Sequence, residues 1–269
     1  MDLKTKLRYQ GYSATPLLWE GKRLPPFEQT SLAKHTDSLD EAIVFTNKRL
    51  GKLVEEFVFF QVKHQPTVTW ISDNLQIQDS NRTVGEIDAL YFHDGHPRHL
   101  EISYKFYLYD TLQSYNDPLA YWIGPNRKDT LFYKLEKIRN KQFPLLHSDF
   151  TKPYLDKFKL DPEKIKQELC FKAQLFLPYH KMDMDTSPLS SDCIAGFYIS
   201  IREVEQFESF EFYVPVKLDW LIIPHQEVNW LSYSAALEII KSHIANQRSP
   251  LVWIKQGDGT INKCFIVFW

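Results

Sequence analysis

The dipeptide Asp94-Gly95 constrains this chain most, because it joins two alternating stretches rich in strand formers, residues 84–92 and 98–108. An Asp-Gly pair between such runs is the strongest short-range signal for a β-hairpin. With those two residues as the turn, Asp88 lies opposite Glu101. Side chains alternate with period two, so Glu86, Asp88, Glu101, Ser103 and Lys105 share one face. Like charges directly opposed in a sheet are destabilising, and a hard divalent cation between them removes that penalty. A surface hairpin that carries its charges for solubility is the competing explanation. Against it, the acids are embedded among Ile87, Ala89, Leu90, Leu100 and Ile102, and the apolar run 104–109 follows. A strand apolar on both sides belongs inside a sheet, where an unpaired carboxylate is costly.

The 269 residues suffice for one large α/β domain or a core with an appended subdomain. A 43% apolar and 15% aromatic composition suits a packed globular protein. The net charge of −2 gives no global basic field, so a nucleic-acid partner would have to be met by a local patch. Cys170, Cys193 and Cys264 are scattered, form no CxxC pair, and fit reduced core thiols. The amino terminus lacks the apolar stretch of a signal peptide, and no run approaches the roughly 18 apolar residues of a membrane span. The expectation is a soluble, cytoplasmic protein without a membrane partner.

Residues 1–37 read as a short helix and an irregular arm. Ser38 or Asp40 is placed to cap a long helix reaching about Lys63, with Ile43, Val44, Leu50, Leu53, Val54, Phe57 and Val58 on one stripe. Residues 67–71 and 74–78 read as two strands or one bent strand, and the hairpin follows. A helix is expected over 127–142 and a partly helical connection over 144–162. Strands are expected over 168–177 and 194–202, and strands or an extended turn over 210–216 and 220–223. An amphipathic helix over 232–245 precedes a closing hairpin, 251–255 with 263–268. This order predicts a mixed α/β sheet with helices on its faces. The division expected is an arm (1–37), a core (38–190) and an α/β carboxy-terminal extension packed on that core (191–269).

A helix bearing a glutamate, a strand bearing Asp, a strand bearing Glu and Lys, and a further helix resemble the PD-(D/E)XK nuclease superfamily. More narrowly, Asn74-Leu75-Gln76-Ile77, Gly85-Glu86-Ile87-Asp88, His99-Leu100-Glu101, Lys105-Phe106-Tyr107-Leu108 and Gly124-Pro125-Asn126 resemble a bacterial family of unknown function placed in that superfamily. The resemblance covers about residues 40–225 and implies a restriction-endonuclease-like mixed β-sheet flanked by helices. It implies that Asp88 and Glu101, with the carbonyl of Ile102, hold Mg2+ or Mn2+. It further implies that Lys105 is the lysine and Glu55 the first-helix acid, with Glu56 the alternative. The superfamily lysine sits two residues after the glutamate, where this chain has Ser103; Lys105 is one strand repeat further on, about 6–7 Å away.

The implied activity is magnesium-dependent hydrolysis of phosphodiester bonds in DNA, or alternatively RNA. The other function class is a catalytically weak or inactive module that keeps the scaffold to bind nucleic acid or protein. Lys128, Lys134 and Lys137 are candidates for phosphate contacts, although Asp129 and Glu136 interrupt the basic face. The imidazoles of His93, His96 and His99 are better explained by a polar hairpin than by zinc, which normally takes four ligands. Neither a Gly-x-Ser-x-Gly elbow nor a Gly-rich phosphate loop is present.

Overall fold

The computed structural model describes residues 1–24, 26–30, 32 and 44–269. Its elements begin with α1 (Leu3–Ala14), α2 (Leu50–Lys63), β1 (Val68–Asp79), β2 (Arg82–His93), β3 (His96–Tyr109) and β4 (Trp122–Ile123). A helical region follows: α3 (Leu131–Lys137), a π-helical segment (Ile138–Gln142), α4 (Phe143–Leu145) and α5 (Lys152–Phe158). The remainder is β5 (Lys166–Pro178), β6 (Ile194–Ser200), β7 (Glu211–Tyr213), α6 (Tyr233–Ala245), β8 (Leu251–Lys255) and β9 (Ile261–Val267). The nine strands form a mixed sheet in the order β1-β2-β3-β5-β6-β9-β8-β7, with β4 on β3. The protein is therefore mixed α/β, with helices flanking the sheet. No helix among the described residues is long and apolar enough to cross a membrane.

Two compact units are present. One comprises Leu17–Tyr104 and Lys134–Lys172. Here β1, β2 and β3 form an antiparallel meander whose second turn uses Asp94 at φ 50° and Gly95 at φ 75°. Two successive positive φ values make the primed turn that matches strand twist, and glycine reaches one of them without steric cost. The register runs from His93↔His96 to Ala89↔Leu100, as the hairpin predicts. The two expected segments form one strand, Val68–Asp79, with an irregularity between Trp70 and Ser72 and a positive φ at Asn74. A core of Ile77, Ile87, Leu90, Leu145, Leu146 and Leu155 packs behind this meander.

Helix α2 is shorter than the sequence suggests. Ser38, Asp40 and Ile43 lie outside the described residues, while residues 44–49 are non-helical and Arg49 occupies the cap. Phe45 sets its ring edge-on against Phe57, with centroids 4.8 Å apart, and the Asn47 side chain bonds Glu56. An extended approach lets Phe45 fold back onto the helix it was expected to extend. Phe57, Val58 and Val62 are almost wholly buried, each such side chain stabilising by about 1.5–3 kcal/mol.

The other unit comprises Met1–Pro16, Lys105–Tyr133 and Ala173–Trp269. Within it β5 pairs in parallel with β6 and β6 with β9, whereas β8 is antiparallel to both β9 and β7. Ala236 and Ile240 of α6 pack onto Phe212, Val252, Ile254 and Cys264. Strand β6 stops at Ser200, whose side chain caps a 3-10 helix (Ile201–Phe207) in a capping box with Glu203.

Residues 220–223 depart from the extended expectation: Lys217–Leu221 is a 3-10 helix. Asp219 in its first turn is buried and held by Arg8 at 2.6 Å and Lys4 at 3.0 Å, which fixes the turn. Gly11 on α1 permits this packing, since a Cβ there would fall 1.9 Å from the Leu221 carbonyl oxygen. The expected helix over 127–142 also begins later. Arg127 adopts φ 55° and places its guanidinium on Asp110, while the Thr130 hydroxyl accepts from the Tyr133 amide at the true start.

Candidate functional site

Asp88 and Glu101 sit at the end of the β2–β3 ladder, 7% and 1% exposed. The backbone pairing stops at Ala89↔Leu100, and the Asp88 carboxylate takes over, with Oδ2 accepting from the Ile102 amide at 2.8 Å. That bond turns the side chain inward beside Glu101. Oδ1 of Asp88 accepts from no described residue. Burial and, next, the Glu101 charge raise the Asp88 carboxyl from the usual carboxylate range to about 7. Burial raises Glu101 as well, with the Lys134 charge working against it.

Glu101 is held by neutral donors. The Gln167 amide nitrogen donates to Nδ1 of His99 at 2.9 Å, which leaves the proton on Nε2. Nε2 then donates to Glu101 at 3.0 Å. Burial lowers His99 to about 4, so the ring remains neutral. The other Glu101 oxygen accepts from the Gln142 amide. Thus His99, a member of the histidine run, orients an acid; its place two residues before Glu101 on one strand face is the signal for this role.

A cavity of about 360 Å³ opens on Asp88 and Ile102. Glu55 of α2 and Glu86 of β2 line its acidic side, and Lys134, Lys137 and Lys141 its basic side. Lys52 lies 2.6 Å from Glu55 and also bonds Glu86, so these two acids are compensated more directly than Asp88. Burial still raises Glu55 to about 7. Lys134 donates to the Gln142 carbonyl oxygen at 3.0 Å, and the same amide group donates to Glu101. A chain of contacts therefore runs from a lysine to the most buried acid.

The π-helical segment carries two of the residues in this arrangement, Lys141 and Gln142. Pro144 has no N–H to give the preceding turn, and a wider turn at 138–142 turns Lys141 and Gln142 toward the cavity along with Lys134 and Lys137. Gln142, which joins Lys134 to Glu101, is a site residue that the sequence expectations did not include.

Among the anticipated residues, Glu55, Asp88, Ile102, Lys134 and Lys137 line this cavity, and Glu101 stands behind it on Gln142. Glu56 instead bonds Asn47. Lys105 and Lys128 belong to the other unit. Lys105 lies 2.7 Å from Asp129, and Lys128 is exposed. Ser103 is buried.

No group of three His, Cys, Asp or Glu side chains among the described residues is gathered as a metal-ligand set. The unengaged Asp88 oxygen and its buried acidic neighbour nevertheless suit a cation that keeps most of its water, as Mg2+ does when bound through one or two carboxylates.

Residues 22–267 match the model of a family described as Domain of unknown function (DUF1853). No curated protein and no solved structure matches the chain.

Proposed function

We propose a function for a chain that belongs to the family described as Domain of unknown function (DUF1853): it is a metal-dependent nuclease that hydrolyses phosphodiester bonds of DNA, or of RNA, in the cytoplasm. The observation that carries this reading is the buried Asp88–Glu101 pair facing Lys134, Lys137 and Lys141 beside one cavity. A phosphodiester needs a cation near its reacting oxygens and positive charge along its backbone, and these residues offer a place for both. The PD-(D/E)XK-like order of Glu55, Asp88 and Glu101 along the chain supports the same class. Buried Cys170, Cys193 and Cys264 fit the core thiols of a protein in a reducing compartment.

Asp88, Glu101 and the Ile102 carbonyl would hold Mg2+ or Mn2+, which when bound polarises the phosphate and makes water more acidic. Lys134 holds the scissile phosphate and stabilises the charge that develops on it, in the place of the superfamily lysine that the resemblance assigned to Lys105. Glu55, at about 7, is suited to take a proton from the attacking water. The water oxygen bonds to phosphorus, the ester P–O bond breaks, and the leaving oxygen is protonated to an alcohol. Lys137 and Lys141 grip neighbouring phosphates.

The test is a cleavage screen over single-stranded, duplex and branched DNA and RNA with Mg2+ or Mn2+, with Asp88→Asn in parallel. Cleavage by the wild type that is lost in the variant is expected. No metal-dependent cleavage of any substrate, or full retention in a folded variant, overturns the proposal.

The second reading, a non-catalytic module for nucleic acid or protein, is favoured by the engagement of Lys105 with Asp129. It predicts salt-dependent binding without cleavage.

A further inference from the structure

Lys263, on β9, is 5% exposed. Its ammonium donates to the Gln174 side-chain oxygen at 2.9 Å and to the Trp220 carbonyl at 2.7 Å. Both partners are neutral, and no carboxylate of a described residue lies within 4.0 Å of it. An ammonium has three protons, so one N–H lacks a protein acceptor. Burying a cation without a counter-charge is strongly unfavourable, and burial lowers the amine to about 7.

The same side chain lines a cavity of about 200 Å³. Ile194, Leu221, Ile223 and Pro224 provide apolar walls, and Ala14 and Thr15, at the end of α1, form part of the lining. The Thr15 hydroxyl is already donated to the Gly11 carbonyl. Asp192 is the lone acid in the lining and is exposed. Two neutral acceptors do not require a charged donor; a neutral amide would satisfy them without the desolvation cost. What the charge adds is a site for an anion.

We infer that the Lys263 cavity binds a small organic carboxylate, with its carboxylate on the ammonium and its hydrocarbon body against Ile194, Leu221 and Ile223. A dianionic phosphate fits less well, because the site offers one cation, without a guanidinium or the N-terminus of an α-helix, beside apolar walls and the carboxy-terminal end of α1. The volume, below that of a drug-sized pocket, limits the ligand to a short chain. This site is independent of the Asp88 cavity.

Titration calorimetry on the full chain with butanoate, hexanoate, octanoate, hexanol and inorganic phosphate tests it. Hexanoate is expected to bind, hexanol and phosphate at least tenfold more weakly, and Lys263→Met to weaken hexanoate at least tenfold. Ala14→Trp, at an exposed position on the lining, blocks entry without altering Lys263 and should abolish binding even if Lys263→Met folds poorly. Asp88→Asn should bind hexanoate as the wild type does. Absence of binding to the wild type, equal binding of hexanol, or unchanged binding in Ala14→Trp overturns the inference.

Discussion

The two cavities carry buried charge of opposite sign and manage it differently. Around Asp88, several acids share a small volume, and lysines on α2 and α3 offset part of their repulsion. Around Lys263 a single cation is solvated by an amide and a carbonyl. A crowded acidic site gains from a cation and destabilises the protein without one. A lone buried cation costs desolvation in the same way but has no neighbour that repels it. Groups held in such unfavourable states persist where a ligand uses them, and relieving the state raises stability while removing function.

The largest effect that sharpens this contrast concerns which lysine serves the acids. Lys134→Ala should lower metal-dependent cleavage by about 100–1,000-fold, the range for loss of one transition-state electrostatic contact. Lys105→Ala should leave the rate within a few-fold of wild type, because Lys105 pairs with Asp129. Steady-state rates on the preferred substrate decide this; the reverse ranking would return the role to Lys105.

Next in size is the stability of the metal-free protein. Asp88→Asn keeps an acceptor for the Ile102 amide and removes a charge beside Glu101. In EDTA at pH 8 it should stabilise the fold by about 1–2 kcal/mol, a rise in Tm of a few degrees for a chain of this size. Lys263→Met should gain less, since it leaves the Gln174 and Trp220 acceptors without their donor. Calorimetric unfolding reads both, and a destabilised Asp88→Asn would break the comparison.

How much of this was legible depended on whether the determining contact was local. The hairpin was, because Asp94-Gly95 and the alternation around it specify turn and register within about twenty residues, and with them the Asp88–Glu101 face. The partner of Glu101 was not, although Lys134 and Lys137 of the basic wall were: Gln142 meets Glu101 from a π-helical segment 41 residues further along the chain. Residues 220–223 look like a strand because they are apolar; the contact that bends them, Arg8 on Asp219, comes from the far end of the chain. Lys263 was silent for a similar reason. A lysine in a short strand ordinarily faces water, and here Gln174 and Trp220 meet it from distant segments.

The smallest effect is the most direct measure of the charge contrast, because the two cavities must bend the pH–stability curve in opposite directions. Asp88 is raised from near 4 to about 7, so its contribution is fully present below pH 4 and is lost as pH rises through 7. Lys263 is lowered from 10.5 to about 7, so the unfolded chain binds its proton more readily between those values and stability rises across them. His99, lowered to about 4, adds a rising component between pH 4 and 6.5 that overlaps the first window. Subtracting each variant's curve from the wild type's removes that overlap. The Asp88→Asn difference should descend between pH 4 and 7, and the Lys263→Met difference should ascend between pH 7 and 10.5. Chemical denaturation in EDTA at half-unit steps resolves both. A flat Asp88 difference would mean that the nearby lysines already neutralise its charge, and the acidic cavity would then have no unmet demand for a cation.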